Sequence, residues 1–204
     1  RLAQYARRFG LGEPTGIDLP GEIAGLVPDS PWKEETLDEP WLLGDTYNMG
    51  IGQGFLMVTP MQMLTMVSAV ANDGVIMKPQ IVREVVDGEG RVTRPFTPQV
   101  ARTVSVSEQN LRVIREGMRQ AVDTGTATTA KVPGVEVAGK TGTAEFGAPT
   151  ANVNDRPTHG WFVGFAPASD PKIAVVVFAQ RGNGAITAAP IAGKIMEFYL
   201  RRAR

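Results

Sequence analysis

The fold is decided by the stretch Val135-Glu136-Val137-Ala138-Gly139-Lys140-Thr141-Gly142-Thr143-Ala144 and by two β-rich runs after it, His159–Ala166 and Ile173–Gln180. Alternating apolar and polar residues and short apolar runs predict strands. The turn sequence Ala168-Ser169-Asp170-Pro171 separates the last two runs. We therefore predict an antiparallel meander. Because Ile173–Ala179 is apolar at every position, this strand should be covered on both faces and flanked on both edges.

Helical patterns precede and follow the predicted sheet. Thr59-Pro60 supplies an N-cap and a proline at the first helical position. Ser107 caps a second helix, a third extends from about Ala188 to Arg204, and Leu2–Phe9 has the spacing of a core-facing helix. The segment Glu13–Gly54 is rich in Pro and Gly and is predicted to be irregular. The fold class is therefore α+β, an antiparallel sheet flanked by helices.

A hairpin is predicted between the first two long helices. The β-rich runs Ile81–Val86 and Arg91–Arg94 flank Asp87-Gly88-Glu89-Gly90, which has the composition of a turn.

Composition excludes several classes of function. The 204 residues contain 21 Lys and Arg against 21 Asp and Glu, so the chain lacks the basic excess that nucleic-acid binding needs. Without cysteine there is no disulfide, thiolate zinc site or cysteine nucleophile, and we expect no metal or cofactor. The longest apolar run, Ile173–Ala179, is too short to span a bilayer. The chain opens at Arg1 inside a predicted helix, so we expect a piece of a longer protein.

One motif matches a phosphate loop in its letters. Gly134–Thr141 fits G-x-x-x-x-G-K-[ST], but its variable positions alternate as in a strand, and Gly142–Pro149 cannot begin a helix. A phosphate loop needs a helix N-terminus directed at the phosphate. Nucleotide binding remains the weaker alternative.

The same residues have a second interpretation, with Lys140-Thr141-Gly142-Thr143 as the unit. An ammonium group beside two hydroxyls, with a glycine that allows close approach to the backbone, suits recognition of a carboxylate and of a developing oxyanion. Alternatively, Lys-Thr-Gly is a surface sequence at the edge of a sheet and has no functional role.

Short motifs occur along the whole chain. In chain order they are Phe9-Gly10-Leu11-Gly12, Thr15-Gly16-Ile17-Asp18-Leu19-Pro20-Gly21-Glu22, Asn48-Met49-Gly50-Ile51-Gly52-Gln53-Gly54, Thr59-Pro60-Met61-Gln62, Gly125-Thr126-Ala127, Lys140-Thr141-Gly142-Thr143-Ala144-Glu145 and His159-Gly160-Trp161-Phe162-Val163-Gly164-Phe165-Ala166-Pro167. Together they resemble, in the same order, the motifs of class B penicillin-binding proteins, and those of the elongation type most closely. The resemblance implies the penicillin-binding-protein and β-lactamase-like transpeptidase fold, with residues 1–204 as the C-terminal portion of one transpeptidase domain whose nucleophile-bearing N-terminal portion is absent.

The resemblance also implies roles for residues of the strand. Lys140 and Thr143 would be catalytic, Lys140 through its positive charge and Thr143 through its backbone N–H in the oxyanion hole. The substrate-binding residues would be Thr141, Gly142, Thr143, Ala144 and Glu145, with Thr141 and Thr143 hydroxyls on the substrate carboxylate and Thr143–Glu145 pairing with the substrate as an added strand.

The implied activity is peptidoglycan D,D-transpeptidation through a serine acyl-enzyme. The substrate would be the D-Ala-D-Ala end of a stem peptide, and β-lactam antibiotics would acylate the same serine. Implied partners are the N-terminal part of the same domain and a cell-elongation glycosyltransferase. The parent would act at the outer face of the bacterial cytoplasmic membrane, anchored by an N-terminal segment. A non-catalytic peptidoglycan-binding fragment is the alternative, because this chain would hold half a site and be inactive alone.

Candidate nucleophiles and bases within the chain are few. The family's Ser-x-x-Lys and Ser-x-Asn motifs lie upstream of the matching region. Two Ser-x-x-Lys strings occur here, beginning at Ser30 and Ser169, but Ser169 lies in a predicted tight turn. Ser30 could cap a short helix, yet no Ser-x-Asn follows it. His159 is the only histidine, and its place at the start of a strand indicates a structural role.

Overall fold

The computed structural model describes residues 1–147 and 156–202. Helices and strands alternate irregularly along this part of the chain, in an α+β arrangement. The helices are α1 (Leu2–Arg8), α2 (Ser30–Leu37), α3 (Leu43–Gly50), α4 (Pro60–Ala71), α5 (Glu108–Asp123) and α6 (Ala189–Arg202), and the strands are β1 (Val75–Met77), β2 (Glu84–Val86), β3 (Val92–Pro95), β4 (Val100–Thr103), β5 (Ala138–Glu145), β6 (Thr158–Ala166) and β7 (Ile173–Ala179).

The predicted meander is confirmed. Strands β5, β6 and β7 form one antiparallel sheet in that order, with Lys140 opposite Val163 and Gly164 opposite Val175. Side chains of β6 alternate between two cores. Phe162 packs with α6 residues on one face, and Phe165 packs with α4 residues on the other.

Strand β7 is covered on both faces, as its apolar sequence predicts. Ile173, Val175 and Val177 join the core beside α6, and Ala174 and Val176 join the core beside α4. Within the described residues, however, β6 is the central strand and β7 pairs on one edge only. Apolar side chains indicate that the faces of a strand are covered. They do not indicate how many edges are paired, because edge pairing is made by backbone groups. A second neighbour for β7 therefore stays a prediction.

The capped helices are confirmed. The Thr59 side chain accepts a hydrogen bond from the Gln62 N–H, and the Gln62 side chain accepts one from the Thr59 N–H, which forms a capping box at α4. The Ser107 side chain caps α5 by accepting a hydrogen bond from the Asn110 N–H. Helix α6 follows a π-helical turn at Gly184–Ala188.

Two expectations about the N-terminal region need correction. The predicted helix forms as α1, but Leu2 and Tyr5 are 49% and 45% exposed, and of its predicted apolar pattern Phe9, at the C-cap, packs against the core. The segment Glu13–Gly54 is not wholly irregular, because it contains α2 and α3. Their few apolar residues follow no helical period, and an ion pair between Lys33 and Asp45 holds the two helices together. Sequence periodicity cannot detect helices of this kind.

The predicted hairpin is confirmed as β2 and β3, joined by a turn at Asp87–Gly90. A second pair, β1 with β4, escaped prediction because β1 has only three residues and its partner lies more than twenty residues later. None of the helices described is long and apolar enough to cross a lipid bilayer.

Candidate active site

The Lys-Thr-Gly motif lies in β5, which pairs only with β6 in the described part of the chain and so leaves one edge open. Successive side chains of a strand point to opposite faces. Lys140 therefore shares a face with Gly142 and Ala144. Its side chain is exposed, and its Nζ donates to the carbonyl oxygen of Thr141 at 2.6 Å. The ammonium group thus lies against the backbone of β5, the edge strand of the sheet.

The two threonines of the motif lie on the other face of β5 in different surroundings. Thr141 is only 9% exposed, and its Oγ1 is 2.8 Å from Oγ1 of Thr126. Thr143 is exposed, and its Oγ1 accepts a hydrogen bond from the Gly184 N–H at 3.2 Å. Both hydroxyls are therefore held by groups distant in sequence, Thr141 beside the lysine and Thr143 nearer the C-terminal end of the strand.

The turn before α6 supports this end of the strand. The Asn183 side chain accepts hydrogen bonds from the N–H groups of Ala185 and Ile186, which shapes the turn. A Cβ on Gly184 would fall against the carbonyl oxygen of Gly142 and within 2.9 Å of its nitrogen. Only a glycine permits so close an approach of the two backbones.

Glu145 lies at the far end of β5 and forms an ion pair with Arg156 at 3.1 Å. Both line a polar cleft of about 370 Å³. The opposite wall is formed by residues of the Asn48–Gly54 motif, so the structure brings two motifs of the sequence together at one cleft. That wall consists of Asn48, Ile51, Gln53 and Gly54.

His159 has a structural position. Its ring stacks on Phe146 with centroids 3.9 Å apart, and its Nδ1 accepts from the Arg181 N–H at 3.3 Å. The imidazole is therefore fixed by packing and by a backbone contact.

The Ser30 string does not form a nucleophile and base. Helix α2 begins at Ser30, and the cap is Asp29, whose side chain accepts from the Trp32 N–H; the expectation that Ser30 caps the helix is wrong. The Ser30 hydroxyl donates to Glu34 at 3.0 Å. Lys33 is buried, and its hydrogen bond to Asp45 holds the pKa of Lys33 above its usual value. The serine and the lysine are thus each paired with a carboxylate and not with one another.

The other two alternatives also fail on geometry. Ser169 is exposed in the turn between β6 and β7, and Lys172 is paired with Asp170 at 2.7 Å. In the phosphate-loop string, Lys140 and Thr141 lie inside a strand, so no helix N-terminus is available for a phosphate.

Sequence reasoning assigned no role to Thr126 or to the turn at Gly184. Thr126 lies within the Gly125-Thr126-Ala127 motif, so a signal for it was present. Nothing in the sequence around Gly184 indicates that its backbone reaches β5.

The site thus lies in an α+β domain, on the edge strand of a three-stranded antiparallel sheet that has helices on both faces. The penicillin binding protein transpeptidase domain family matches residues 1–197, and this chain belongs to that family.

Individual proteins that are similar to this chain are also transpeptidases or penicillin-binding proteins. The peptidoglycan D,D-transpeptidase MrdA of Acinetobacter baumannii is 32% identical over 212 residues, covering 98% of this chain and 31% of that protein. Penicillin-binding protein 2 of Pseudomonas aeruginosa, in complex with WCK 5153, superposes with a TM-score of 0.76 at 33% identity, over 97% of this chain and 43% of that one. Penicillin-binding protein 2 of Helicobacter pylori, in complex with MreC, superposes with a TM-score of 0.75 at 28% identity, over 98% of this chain and 35% of that one.

These matches confirm the transpeptidase fold and the similarity to penicillin-binding protein 2. The chain spans about a third of the length of the curated relatives it matches.

Proposed function

We propose that the whole protein is a peptidoglycan D,D-transpeptidase and that β5 supplies the Lys-Thr-Gly part of its active site. The observation that carries the proposal is the exposed Lys140 ammonium on the edge strand of the sheet, next to two anchored threonine hydroxyls, in a chain of the transpeptidase family.

The reaction would be a two-step acyl transfer. A serine hydroxyl attacks the carbonyl carbon of the penultimate D-Ala, the C–N bond breaks, and the terminal D-Ala leaves with the proton. An amine of a second peptidoglycan strand then attacks the ester and releases the serine. The serine would come from the N-terminal portion of the same domain, with residues 1–204 as the C-terminal portion, because neither Ser-x-x-Lys string of this chain forms a nucleophile.

Each residue of β5 would have a distinct part. Lys140 provides positive potential and orients the groups of the serine-bearing portion. Hydroxyls of Thr141 and Thr143 bind the carboxylate of the substrate or of a β-lactam, and the Thr143 N–H is one of two oxyanion donors. Gly142 gives access to the backbone. Ala144 and Glu145 extend the edge on which the substrate adds as a strand.

The proposed activity also implies a cellular location and partner proteins for the whole protein. Peptidoglycan cross-linking takes place outside the cytoplasmic membrane, so the whole protein would act at its outer face, held there by a segment outside this chain. It would work with a cell-elongation glycosyltransferase and with a partner protein such as MreC, which is bound to the Helicobacter pylori relative. A role as a non-catalytic peptidoglycan-binding fragment would apply only to residues 1–204 alone.

The test is covalent labelling of the whole protein by a fluorescent penicillin, with Lys140→Ala as the variant. We expect the second-order acylation rate to fall at least about tenfold, because a charged hydrogen bond is worth about 1.5–3 kcal/mol. The control is Lys172→Ala, which removes an exposed lysine in the turn after β6 and should leave the rate unchanged.

Two outcomes would contradict the proposal. Absence of any label on the whole protein would leave the non-catalytic alternative. Equal acylation rates for Lys140→Ala and the parent would show that Lys-Thr-Gly is a surface sequence without a role in the reaction. A Ser30→Ala variant, expected to label fully, separately tests whether the nucleophile lies outside this chain.

A further inference from the structure

Thr126 and Thr141 form a pair of hydroxyl groups at the motif strand. Their Oγ1 atoms are 2.8 Å apart, and either can donate to the other. Thr141 is almost buried in β5, whereas Thr126 is exposed in the connection between α5 and β5. The contact therefore joins the motif strand to a segment fifteen residues earlier in the chain.

The backbone around Thr126 is firmly held. The Gly125 N–H donates to Gln120 O at 3.1 Å, and the Ala127 N–H donates to Ala121 O at 2.9 Å. Ala127 is completely buried, and a Cβ on Gly125 would lie 2.8 Å from Cα of Ala121. The connection thus packs tightly on the end of α5 while its threonine side chain reaches Thr141.

The number of protons available decides which of the two hydroxyls must donate when a carboxylate binds. Each hydroxyl has one proton to donate, and an ionised carboxylate can only accept. If Thr141 donates to Thr126, it has no proton left for a ligand and presents lone pairs to a negative group. If Thr126 donates to Thr141, the Thr141 proton is free, and a chain of two hydrogen bonds leads to the carboxylate, each strengthening the other.

We propose that Thr126 is a positioning residue for the carboxylate of the substrate or β-lactam, and that it acts by donating its hydroxyl proton to Thr141. This inference rests on the proposed function, in which Thr141 binds that carboxylate. Thr126 does not touch the reacting atoms. It fixes the rotamer of the Thr141 hydroxyl and the direction in which that hydroxyl donates.

The experiment compares Thr126→Val and Thr126→Ser in the whole protein, with benzylpenicillin and its methyl ester as probes. Valine keeps the shape but removes the hydroxyl, and serine keeps the hydroxyl. With benzylpenicillin we expect Thr126→Val to lower the second-order acylation rate about three- to tenfold, the effect of one neutral hydrogen bond. Thr126→Ser should stay within about twofold of the parent.

The ester separates positioning from a general structural role. It has no anionic carboxylate to bind, so Thr126→Val and the parent should react with it equally, although more slowly than the parent reacts with the acid. Thr128→Val, at an exposed threonine two positions later, is the matched control and should match the parent with both probes. Thermal unfolding verifies the fold, and Thr126→Ala serves as the variant if the valine protein does not fold.

Three results would overturn the inference. Equal acylation of Thr126→Val and the parent by benzylpenicillin would show that the hydroxyl does not contribute. An equal loss with acid and ester would show that the contact acts on the fold and not on the carboxylate. A parent protein that reacts with neither probe would refute the proposed function itself, and this inference with it.

Discussion

The β5–β6–β7 sheet and the β2–β3 hairpin are both antiparallel, yet they are stabilised in different ways. In the sheet, Phe162 and Phe165 are completely buried on opposite faces, each against a different helix. In the hairpin, every residue of both strands is exposed. Pairing of two strands through backbone hydrogen bonds therefore does not by itself bury their side chains. The candidate site lies on the sheet, where packing from two faces holds β5 in place.

The hairpin depends instead on local hydrogen bonds. The Asp87 carboxylate accepts from the N–H groups of Glu89 and Arg91, both at 2.9 Å, and also from Nε of Arg91. Its partners are two to four residues away. The sheet is held by contacts across long sequence separations, and substitutions should therefore affect the two regions differently.

The largest effect is expected for Phe162→Ala. The side chain is completely buried between β6 and α6, so its removal leaves a cavity and should lower the free energy of unfolding by about 3–5 kcal/mol. Chemical denaturation of the whole protein, followed through the transition that includes this domain, measures it. A loss below about 1 kcal/mol would show that this face of the sheet is loosely packed.

Gly184→Ala should come next. The added Cβ meets the backbone of Gly142, which cannot move without disturbing β5, so we expect a loss of about 1–3 kcal/mol together with slower acylation by penicillin. Gly88→Ala in the hairpin turn is the matched control, because a Cβ there has nothing within 4 Å. Similar behaviour of the two variants would contradict the close support of β5 by the turn before α6.

A smaller, pH-dependent effect is expected at α5, which packs on β5. Hydrogen bonds from Arg119 and then Gln120 lower the pKa of Glu116 to about 2, from an ordinary value of 4.5. The ionised carboxylate therefore adds stability above about pH 4.5, and this stability is lost as the pH falls towards 2.

Melting temperatures of Glu116→Gln and the parent test this expectation. The difference between them should be constant above about pH 5 and should close between about pH 4.5 and 2. A gap that stays the same down to pH 2 would show that the Glu116 carboxylate is not held by Arg119 in solution.

The smallest effect is expected for Val85→Ala in the hairpin. Val85 is 43% exposed, so the free energy of unfolding should change by no more than about 0.5 kcal/mol. A loss above about 1 kcal/mol in the whole protein would mean that another surface covers the hairpin. The contrast between hairpin and sheet would then hold only within residues 1–147 and 156–202.

Much of the fold was predictable because its signals are local. The caps at Thr59 and Ser107, the turn at Asp87–Gly90 and the alternation of β5 each lie within a few residues. Local signals of this kind predicted four of the helices described (α1, α4, α5 and α6), the hairpin and the meander. Helix α3 escaped prediction, and α2 was indicated only as a possible short helix at Ser30, because neither has an apolar period. The ion pair between Lys33 and Asp45 joins them, and a sequence pattern does not show which charges meet.

The sequence by itself determined that Lys140, Thr141 and Thr143 lie on one strand, because alternation and the absence of a following helix are properties of neighbouring residues. Only the tertiary structure decided what those side chains meet. Thr126 reaches Thr141 from fifteen residues away, the Gly184 N–H reaches Thr143 from 41 residues away, and the Asn48–Gly54 segment forms a cleft with Glu145. Such contacts depend on how separate elements pack, and packing is a property of the folded chain as a whole.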